Sequence, residues 1–395
     1  MALTRDNINN TKDIGIIGVG FVGEHLMNAF SRVSSYNIVA YDISKARIDY
    51  LKNTYDNKKH NVNFTTDSAD LINSNCFLVC VPTNVVNQQP DLTNLIQARD
   101  LLRLVAKNGD TIVVESSVYI GATRELFSEF VDFGVYIGFS PERVDPGRIE
   151  PPTHEIPKII SGLNNVSLVS VREYYKPVFT KLVEVSSTET AEMCKLYENC
   201  FRLVNIAYVN EIADACNRIG IDPQEMISAS ETKPFGFMSF YPGLGIGGHC
   251  IPNNPYYLMK NNRDILPIVD QSIKLMEKRP KSKAQDIIDT YNFNNVLIIG
   301  VGFKPGESLT VNSPGLALAK ELEFLGKSVY CWDPLVSKSE LTNKRKSGLN
   351  FIQNNVTLEY LEQYFDLIIV ANKQHGIDFN IVNEYQQNGN IVISF

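Results

Sequence analysis

No apolar run in this chain approaches the ~20 residues needed to span a bilayer, so no membrane helix is expected. Basic runs are missing as well, and the net charge is −7, which argues against a nucleic-acid partner. The seven cysteines, at 76, 80, 194, 200, 216, 250 and 331, make no CxxC pair and no Cys/His spacing of the kind that holds a metal. An odd cysteine count points to reduced thiols in a cytoplasmic compartment. The segment Met1 to Asn7 is polar and lacks the apolar core of a signal peptide. What is present is ordinary soluble-protein composition, with 44% hydrophobic and 21% charged residues. At 395 residues the chain is too long for one core, and two or three domains are expected.

The first chemistry-bearing pattern lies near the start. Asp13-Ile-Gly-Ile-Ile reads as a short buried strand, Gly18, Gly20 and Gly23 form G-x-G-x-x-G, and Glu24 to Val33 has helical spacing. Asn37-Ile-Val-Ala-Tyr then ends in Asp42. Strand, glycine turn, helix, strand and acid in that order are the dinucleotide-binding pattern. The glycines allow a tight turn and close approach of backbone to a pyrophosphate, and the acid receives the ribose hydroxyls. An acid at Asp42 favours NAD over NADP. Phe21 and Val22 inside the turn belong to the same cofactor-binding set. Two further buried-strand runs, Cys76 to Val81 and Thr111 to Glu115, end in small polar residues where an open α/β sheet binds ligands. Pro82, Thr83 and Ser117 are therefore candidate contacts for cofactor or substrate. A fourth such end, Gly138-Phe-Ser-Pro-Glu-Arg-Val-Asp-Pro-Gly, holds Glu142 in a proline turn that could aim one carboxylate into a cleft.

Thr188 to Gly220 reads as one long helix stopped by Gly220. Met193, Leu196, Cys200, Leu203 and Ala207 form an apolar stripe, which is expected to need a partner surface. Lys195, Asn199 and Arg202 form a separate polar stripe at i, i+4 and i+7. Next, Lys233-Pro-Phe-Gly-Phe leads through Gly243, Gly245, Gly247 and Gly248 to His249-Cys250-Ile251-Pro252. Glycine runs let backbone come close to a ligand. The prolines predict a helix starting near Pro252 or Pro255, with Cys250 just before it, where the helix dipole favours a thiolate. Cys250 is the candidate nucleophile. A second α/β half opens at Asn295-Val-Leu-Ile-Ile-Gly-Val-Gly-Phe-Lys-Pro, where Pro305 takes the slot of the third glycine and argues against a second dinucleotide site. Strands follow at Ser328–Trp332 and Asp366–Val370.

Gly-Gly-His-Cys-Ile-Pro after Lys-Pro-Phe-Gly-Phe resembles the active-site signature of the UDP-glucose/GDP-mannose dehydrogenase family, most of all its branch acting on UDP-N-acetylhexosamines. Ser-Pro-Glu-Arg-Val-Asp-Pro-Gly resembles a second motif of that family. The resemblance implies an α/β fold of two Rossmann-like doubly wound domains joined by a long central helix. The expected boundaries are 1–187 for the NAD-binding domain, 188–285 for a helical dimerisation region with the cysteine loop, and 286–395 for a UDP-sugar domain. It further implies a four-electron oxidation of a primary alcohol to a carboxylate, through a thiohemiacetal and a thioester on Cys250, with NAD as cofactor and a homodimer built on the long helix. By the same resemblance Arg47 borders the adenosine pocket, Lys195 and Asn199 bind the sugar and the oxyanion, and Glu142 serves acid/base chemistry at the thioester. Lys304 holds the UDP-sugar, and Arg143, Phe237, Tyr241 and Gly245 join the substrate set. No metal is expected.

The chain departs from the family pattern in several places. Ser117 stands for a threonine and keeps its hydroxyl. Asn254 stands for an aspartate beside the cysteine, and an amide cannot accept a proton there at neutral pH. Val311 stands for an arginine, and Asn390 to Phe395 stops where relatives carry an arginine to the nucleotide. Two other readings stay open: a nucleotide-sugar-binding homologue with weakened turnover, and a two-electron hydroxyacid-type dehydrogenase that would not need Cys250.

Overall fold

The computed structural model describes residues 12–55, 61–144, 150–336, 349–352 and 356–395. Met1 to Asn7 and the Asp145-Pro146-Gly147 end of the Ser-Pro-Glu-Arg motif lie outside the described residues. The chain divides into two units, Met1–Glu198 with Tyr256–Asn261, and Asn199–Pro255 with Asn262–Phe395.

The first unit is built on β1 (Lys12–Ile17), β2 (Tyr36–Tyr41), β3 (Val62–Thr65), β4 (Cys76–Val79), a hairpin of β5 (Asn84–Val86) and β6 (Gln89–Asp91), β7 (Thr111–Val114), β8 (Tyr136–Phe139), β9 (Lys158–Gly162) and β10 (Leu182–Glu184). Apart from the hairpin these form one sheet in the order β10-β9-β8-β7-β4-β1-β2-β3. All its pairings are parallel except β8 with β9. Continuous Val/Ile/Leu runs suit strands covered on both faces. Ile14, Ile16, Leu78 and Val113 are buried with Leu26 and Phe30 of the helix Phe21–Phe30 and with Tyr175. The strand order reverses between β1 and β4, the switch point where an open α/β sheet binds its ligand.

The second unit repeats the plan with β11 (Asn295–Ile299), β12 (Ser328–Trp332), β13 (Asn350–Ile352), β14 (Leu367–Val370) and β15 (Ile391–Ser394). Their order is β13-β12-β11-β14-β15, and every pairing is parallel. Between the sheets in the chain runs the helix Thr188–Ile219, of 32 residues. It stops as expected at Gly220, whose φ of +79° few side chains tolerate. The fold is thus α/β, with two Rossmann-like sheets and a long helix between them in sequence.

Two expected boundaries and one expected face change. The first helix covers Phe21–Phe30 rather than Glu24 to Val33, because the chain enters it directly from Gly20. The cysteine helix covers Cys250–Met259, so Cys250 is its first residue. Pro252 is then the third residue, where its missing N–H removes no intrahelical bond, and only Pro255 lies inside the helix. On the long helix, Leu196, Cys200, Leu203 and Ala207 are already buried in the single chain. Those four members of the stripe need no partner surface, whereas Met193 is exposed. The exposed apolar face is instead Met193, Tyr197, Phe201 and Tyr208.

Candidate functional site

In the first unit the glycine turn follows β1. Gly18 adopts φ +86°, and its N–H donates to the Tyr41 carbonyl at 2.9 Å, tying the turn to the end of β2. A Cβ on Gly23 would sit 2.0 Å from the Gly18 carbonyl oxygen, so that glycine is required by the turn's own packing. Asp42 accepts from the N–H of Val19 at 3.0 Å and from that of Ser44 at 2.8 Å. A carboxylate offers about four acceptor positions, so capacity remains for ribose hydroxyls. Arg47 donates through Nε to the Val19 carbonyl at 2.7 Å and pairs with Glu24, which holds its guanidinium against the turn. Phe21 is exposed and Val22 half-buried at the start of the helix. Thr83 donates to the Ser117 carbonyl at 2.8 Å, so the ends of β4 and β7 are joined side by side, with Pro82 exposed.

Past β8, Glu142 is 6% exposed and enters a charge cluster that the sequence reading missed. Its Oε1 accepts from the N–H groups of Arg143 and Val144, both at 2.7 Å. Its Oε2 faces the Lys158 ammonium at 3.3 Å. Lys158 in turn lies 2.6 Å from Glu115, which also accepts from the Tyr175 hydroxyl. Lys195 donates to the Glu142 carbonyl oxygen, and Arg143 pairs with Glu198 at 2.6 Å. Burial pushes the Glu115 carboxyl up to about 7, against the pull of Lys158. Burial acts on Glu142 in the same sense, but Lys158, Lys195 and the two backbone N–H groups outweigh it and hold its carboxyl below the usual range. The Lys158 ammonium, penalised by burial, is held above its usual range by its two carboxylates. The signal in the sequence was a lysine opening an otherwise apolar strand, Lys158-Ile-Ile-Ser-Gly.

The second unit holds the cysteine loop. Cys250 is exposed at the first residue of its helix, and none of the seven cysteines is in a disulfide. The loop before it is pinned at several points. Gly243 donates to Asn210 Oδ1 at 2.9 Å and its carbonyl accepts from Arg279 Nε at 2.8 Å. Gly248 exchanges bonds with its neighbours in the fold: its N–H donates to the Val311 carbonyl and its own carbonyl accepts from Asn312 Nδ2, both at 2.9 Å. A Cβ on Gly247 would lie 2.8 Å from Phe303, and one on Gly248 2.9 Å from the same ring. The glycines therefore serve close packing as well as access. Gly245, at φ +154°, carries its strain allowance for the same turn. Asn199 is 1% exposed; its Oδ1 accepts from Arg202 at 2.5 Å, and its Nδ2 has no partner among the described residues. Asn254 is likewise buried, and its Nδ2 has no partner among the described residues. A buried amide N–H without an acceptor is costly unless a ligand completes it. Tyr241 bonds Glu231 at 3.1 Å on an exposed stretch that also carries Phe237, while Lys304 is half-buried with its ammonium 5.9 Å from the Phe303 ring.

Residues 12–179 match the NAD-binding domain, and residues 189–276 the central domain, of the UDP-glucose/GDP-mannose dehydrogenase family. A UDP-N-acetyl-D-glucosamine 6-dehydrogenase of Pseudomonas aeruginosa is 32% identical, over 83% of this chain and 84% of its own length. The chain belongs to the UDP-glucose/GDP-mannose dehydrogenase family. A UDP-N-acetyl-D-mannosamine dehydrogenase of Pyrococcus horikoshii is 29% identical, over 82% of this chain and 84% of its own. The solved structure of the UDP-D-ManNAc dehydrogenase from that organism matches the fold with a TM-score of 0.84 at 24% identity, covering 97% of this chain and 94% of that one. As a member of the family the protein is a nucleotide-sugar oxidoreductase that uses NAD.

The first glycine turn fits that cofactor. A Cβ on Gly20 would project into open space, the room a pyrophosphate needs. Gly20 is also the cap of the helix Phe21–Phe30, and no side chain satisfies that helix end. Free N–H groups at a helix N-terminus bind phosphate. Among the described residues no helix is long and apolar enough to cross a membrane.

Proposed function

We propose that this protein oxidises the C6 hydroxymethyl group of a UDP-N-acetylhexosamine to the carboxylate through a thioester on Cys250. The observation that carries the reading is the exposed Cys250 thiol at the first turn of a helix, on a glycine loop pinned by Asn210, Arg279 and Asn312. NAD, when bound, supplies the hydride acceptor for both oxidation steps. Once the alcohol has become an aldehyde, the Cys250 sulfur adds to its carbonyl carbon, and the oxygen takes up a proton to give a thiohemiacetal. Loss of the second hydride from carbon, with the hydroxyl proton passing to solvent, leaves a thioester. Water then adds, the C–S bond breaks, and the carboxylate leaves with Cys250 restored. Lys195 and the unpartnered Nδ2 of Asn199 are suited to stabilise the oxyanions that develop. Glu142 orients the hydrolytic water. Lys304, Arg143, Phe237, Tyr241 and Gly245 are assigned to the nucleotide sugar, and Gly18 through Gly23, Asp42, Arg47, Pro82, Thr83 and Ser117 to NAD.

In the same reading the protein works in the cytoplasm, with 188–285 as the dimerisation region. The homodimer uses the exposed Met193, Tyr197, Phe201 and Tyr208 face, in place of the buried stripe expected from the sequence.

One observation favours a slower enzyme. Asn254 is buried beside the cysteine in sequence and cannot take a proton. A single experiment tests both readings: NADH formed per UDP-N-acetylglucosamine consumed, in the wild type, Cys250→Ser and Asn254→Asp. The expected outcome is two NADH for the wild type and none beyond the aldehyde stage for Cys250→Ser. Asn254→Asp should turn over about 10²-fold faster, the low end for one acid/base group. Full two-NADH stoichiometry in Cys250→Ser would sink the thioester mechanism.

A further inference from the structure

The cluster around Glu142 has a consequence for the hydrolytic step proposed above, and rests on that reading. Lys158, Glu115 and Glu142 come from three neighbouring strand ends and are 3%, 2% and 6% exposed. Buried ion pairs add little to stability compared with well-packed apolar side chains of the same volume. A purely structural role therefore gives no reason to place three charges here. Counting acceptors supplies one. Oε1 of Glu142 has both lone pairs taken by the N–H groups of Arg143 and Val144. Oε2 has one taken by Lys158. Among the described residues, one of about four acceptor positions on this carboxylate remains, on Oε2. Its direction is set by where Lys158 stands.

We propose that Lys158 is a positioning residue for Glu142: with Glu115 as its buried counter-ion, its ammonium keeps that carboxylate ionised and leaves it a single free acceptor direction, aimed at one water or substrate hydroxyl. Glu115 matters because it sits closer to Lys158 than Glu142 does, 2.6 Å against 3.3 Å. It gives the buried ammonium a second partner without occupying an acceptor position of Glu142. The Tyr175 hydroxyl and the Pro141 carbonyl, 3.2 Å from Lys158 Nζ, complete the polar shell. Among the described residues, the other charged or titratable groups coupled to this cluster are Lys195, on the Glu142 carbonyl side, and the buried thiols of Cys80 and Cys76.

The test is the pH dependence of turnover in K158M, K158R and E115Q. Removing an opposite charge at this range raises a carboxyl pKa by ~1–3 units. The acid limb of the K158M profile should therefore move to higher pH by that amount, K158R should bring it back towards wild type, and E115Q should not raise it. If K158M fails to fold, E115Q/K158M read against E115Q isolates the same lysine: the acid limb should again lie higher in the double variant, and an equal limb overturns the proposal. An acid limb unmoved in K158M, with activity lowered equally at every pH, would overturn the proposal. So would K158R displaced as far as K158M. A ¹³C-carboxyl titration of Glu142, assigned by its loss in E142Q, needs no turnover. If the wild type leaves UDP-N-acetylglucosamine untouched, the functional reading falls while the titration still decides this one: Glu142 must titrate higher in K158M than in wild type, and an equal value refutes it.

Discussion

The two glycine turns of this molecule begin alike and end differently. Gly18 and Gly300 each follow a central strand at φ +86° and +77°. Each donates its N–H to the last residue of the neighbouring strand, Tyr41 or Trp332, at 2.9 and 3.0 Å. Each has an aspartate just beyond that residue, Asp42 or Asp333. At the next glycine they part. A Cβ on Gly20 meets nothing within 4 Å, whereas one on Gly302 would lie 2.4 Å from the Glu307 carbonyl oxygen and 2.8 Å from Gln374 Nε2. The second turn is filled by the chain's own loop. Pro305, which the sequence reading singled out, lies within that loop, and the filling is done by Glu307 and Gln374. Parallel sheet order and a G-x-G turn therefore make a fold; an open, uncapped helix end is what makes a phosphate site.

That contrast should separate binding from stability. Gly302→Ala pushes a methyl into backbone and is expected to destabilise by about 1–3 kcal/mol while leaving NAD affinity alone. Gly20→Ala has room in the fold but would take the space assigned above to the pyrophosphate. It should hold its melting temperature and weaken NAD binding by roughly tenfold or more, or 1.4 kcal/mol. Denaturant melts and calorimetry on both variants check this. If Gly302→Ala lost NAD affinity as Gly20→Ala does, the two turns would not differ in kind.

The aspartates sharpen the comparison at a smaller scale. Asp333, 5% exposed, accepts from Gly302 N–H at 2.8 Å, Leu335 N–H at 3.0 Å and Gln374 Nε2 at 3.1 Å. Asp333→Asn aims an amide at those donors and should lower stability by ~1.5–3 kcal/mol, the range for bonds to a charged group. NAD binding should stay as it was. Asp42→Asn should instead reduce the preference for NAD over NADP, since in the proposed assignment its carboxylate would receive the ribose hydroxyls and repel a 2′-phosphate. Equal preference in wild type and Asp42→Asn would remove Asp42 from the cofactor assignment.

These pairs also mark what the sequence could disclose. The first turn was legible because strand, glycines, helix and acid lie within thirty residues, and local backbone geometry dictates each of them. The Glu115–Lys158–Glu142 cluster was not, because its members meet only through the order of β7, β8 and β9, which no local pattern encodes. The long helix carried two apolar stripes a few positions apart, and periodicity alone cannot say which one the chain's own core will cover. Cys250 stood out through its glycines. That it opens its helix, with Pro252 harmless in the first turn, depended on how many residues the loop spends before turning.

The smallest effect concerns how each helix begins. The helix Pro314–Phe324 starts well after its turn, and Ser313 caps it: its Oγ accepts from Leu316 N–H at 3.1 Å and donates to the Val301 carbonyl at 2.7 Å. The helix Phe21–Phe30 has no such side chain, since Gly20 occupies the cap position. A side-chain cap satisfies the same N–H groups that a phosphate would use, so one helix end can do only one of these two jobs. Ser313→Ala should therefore cost about 1 kcal/mol of stability, somewhat more because the hydroxyl also serves Val301, and leave NAD affinity unchanged. Gly20→Ser is its mirror image: it offers the first helix a cap, so it should gain a few tenths of a kcal/mol at most and lose cofactor affinity. Chemical denaturation in the presence and absence of NAD reads both quantities in one experiment. A Ser313→Ala protein with weakened NAD binding would mean that the second helix end also serves the cofactor, and the division of labour drawn between the two turns would be wrong.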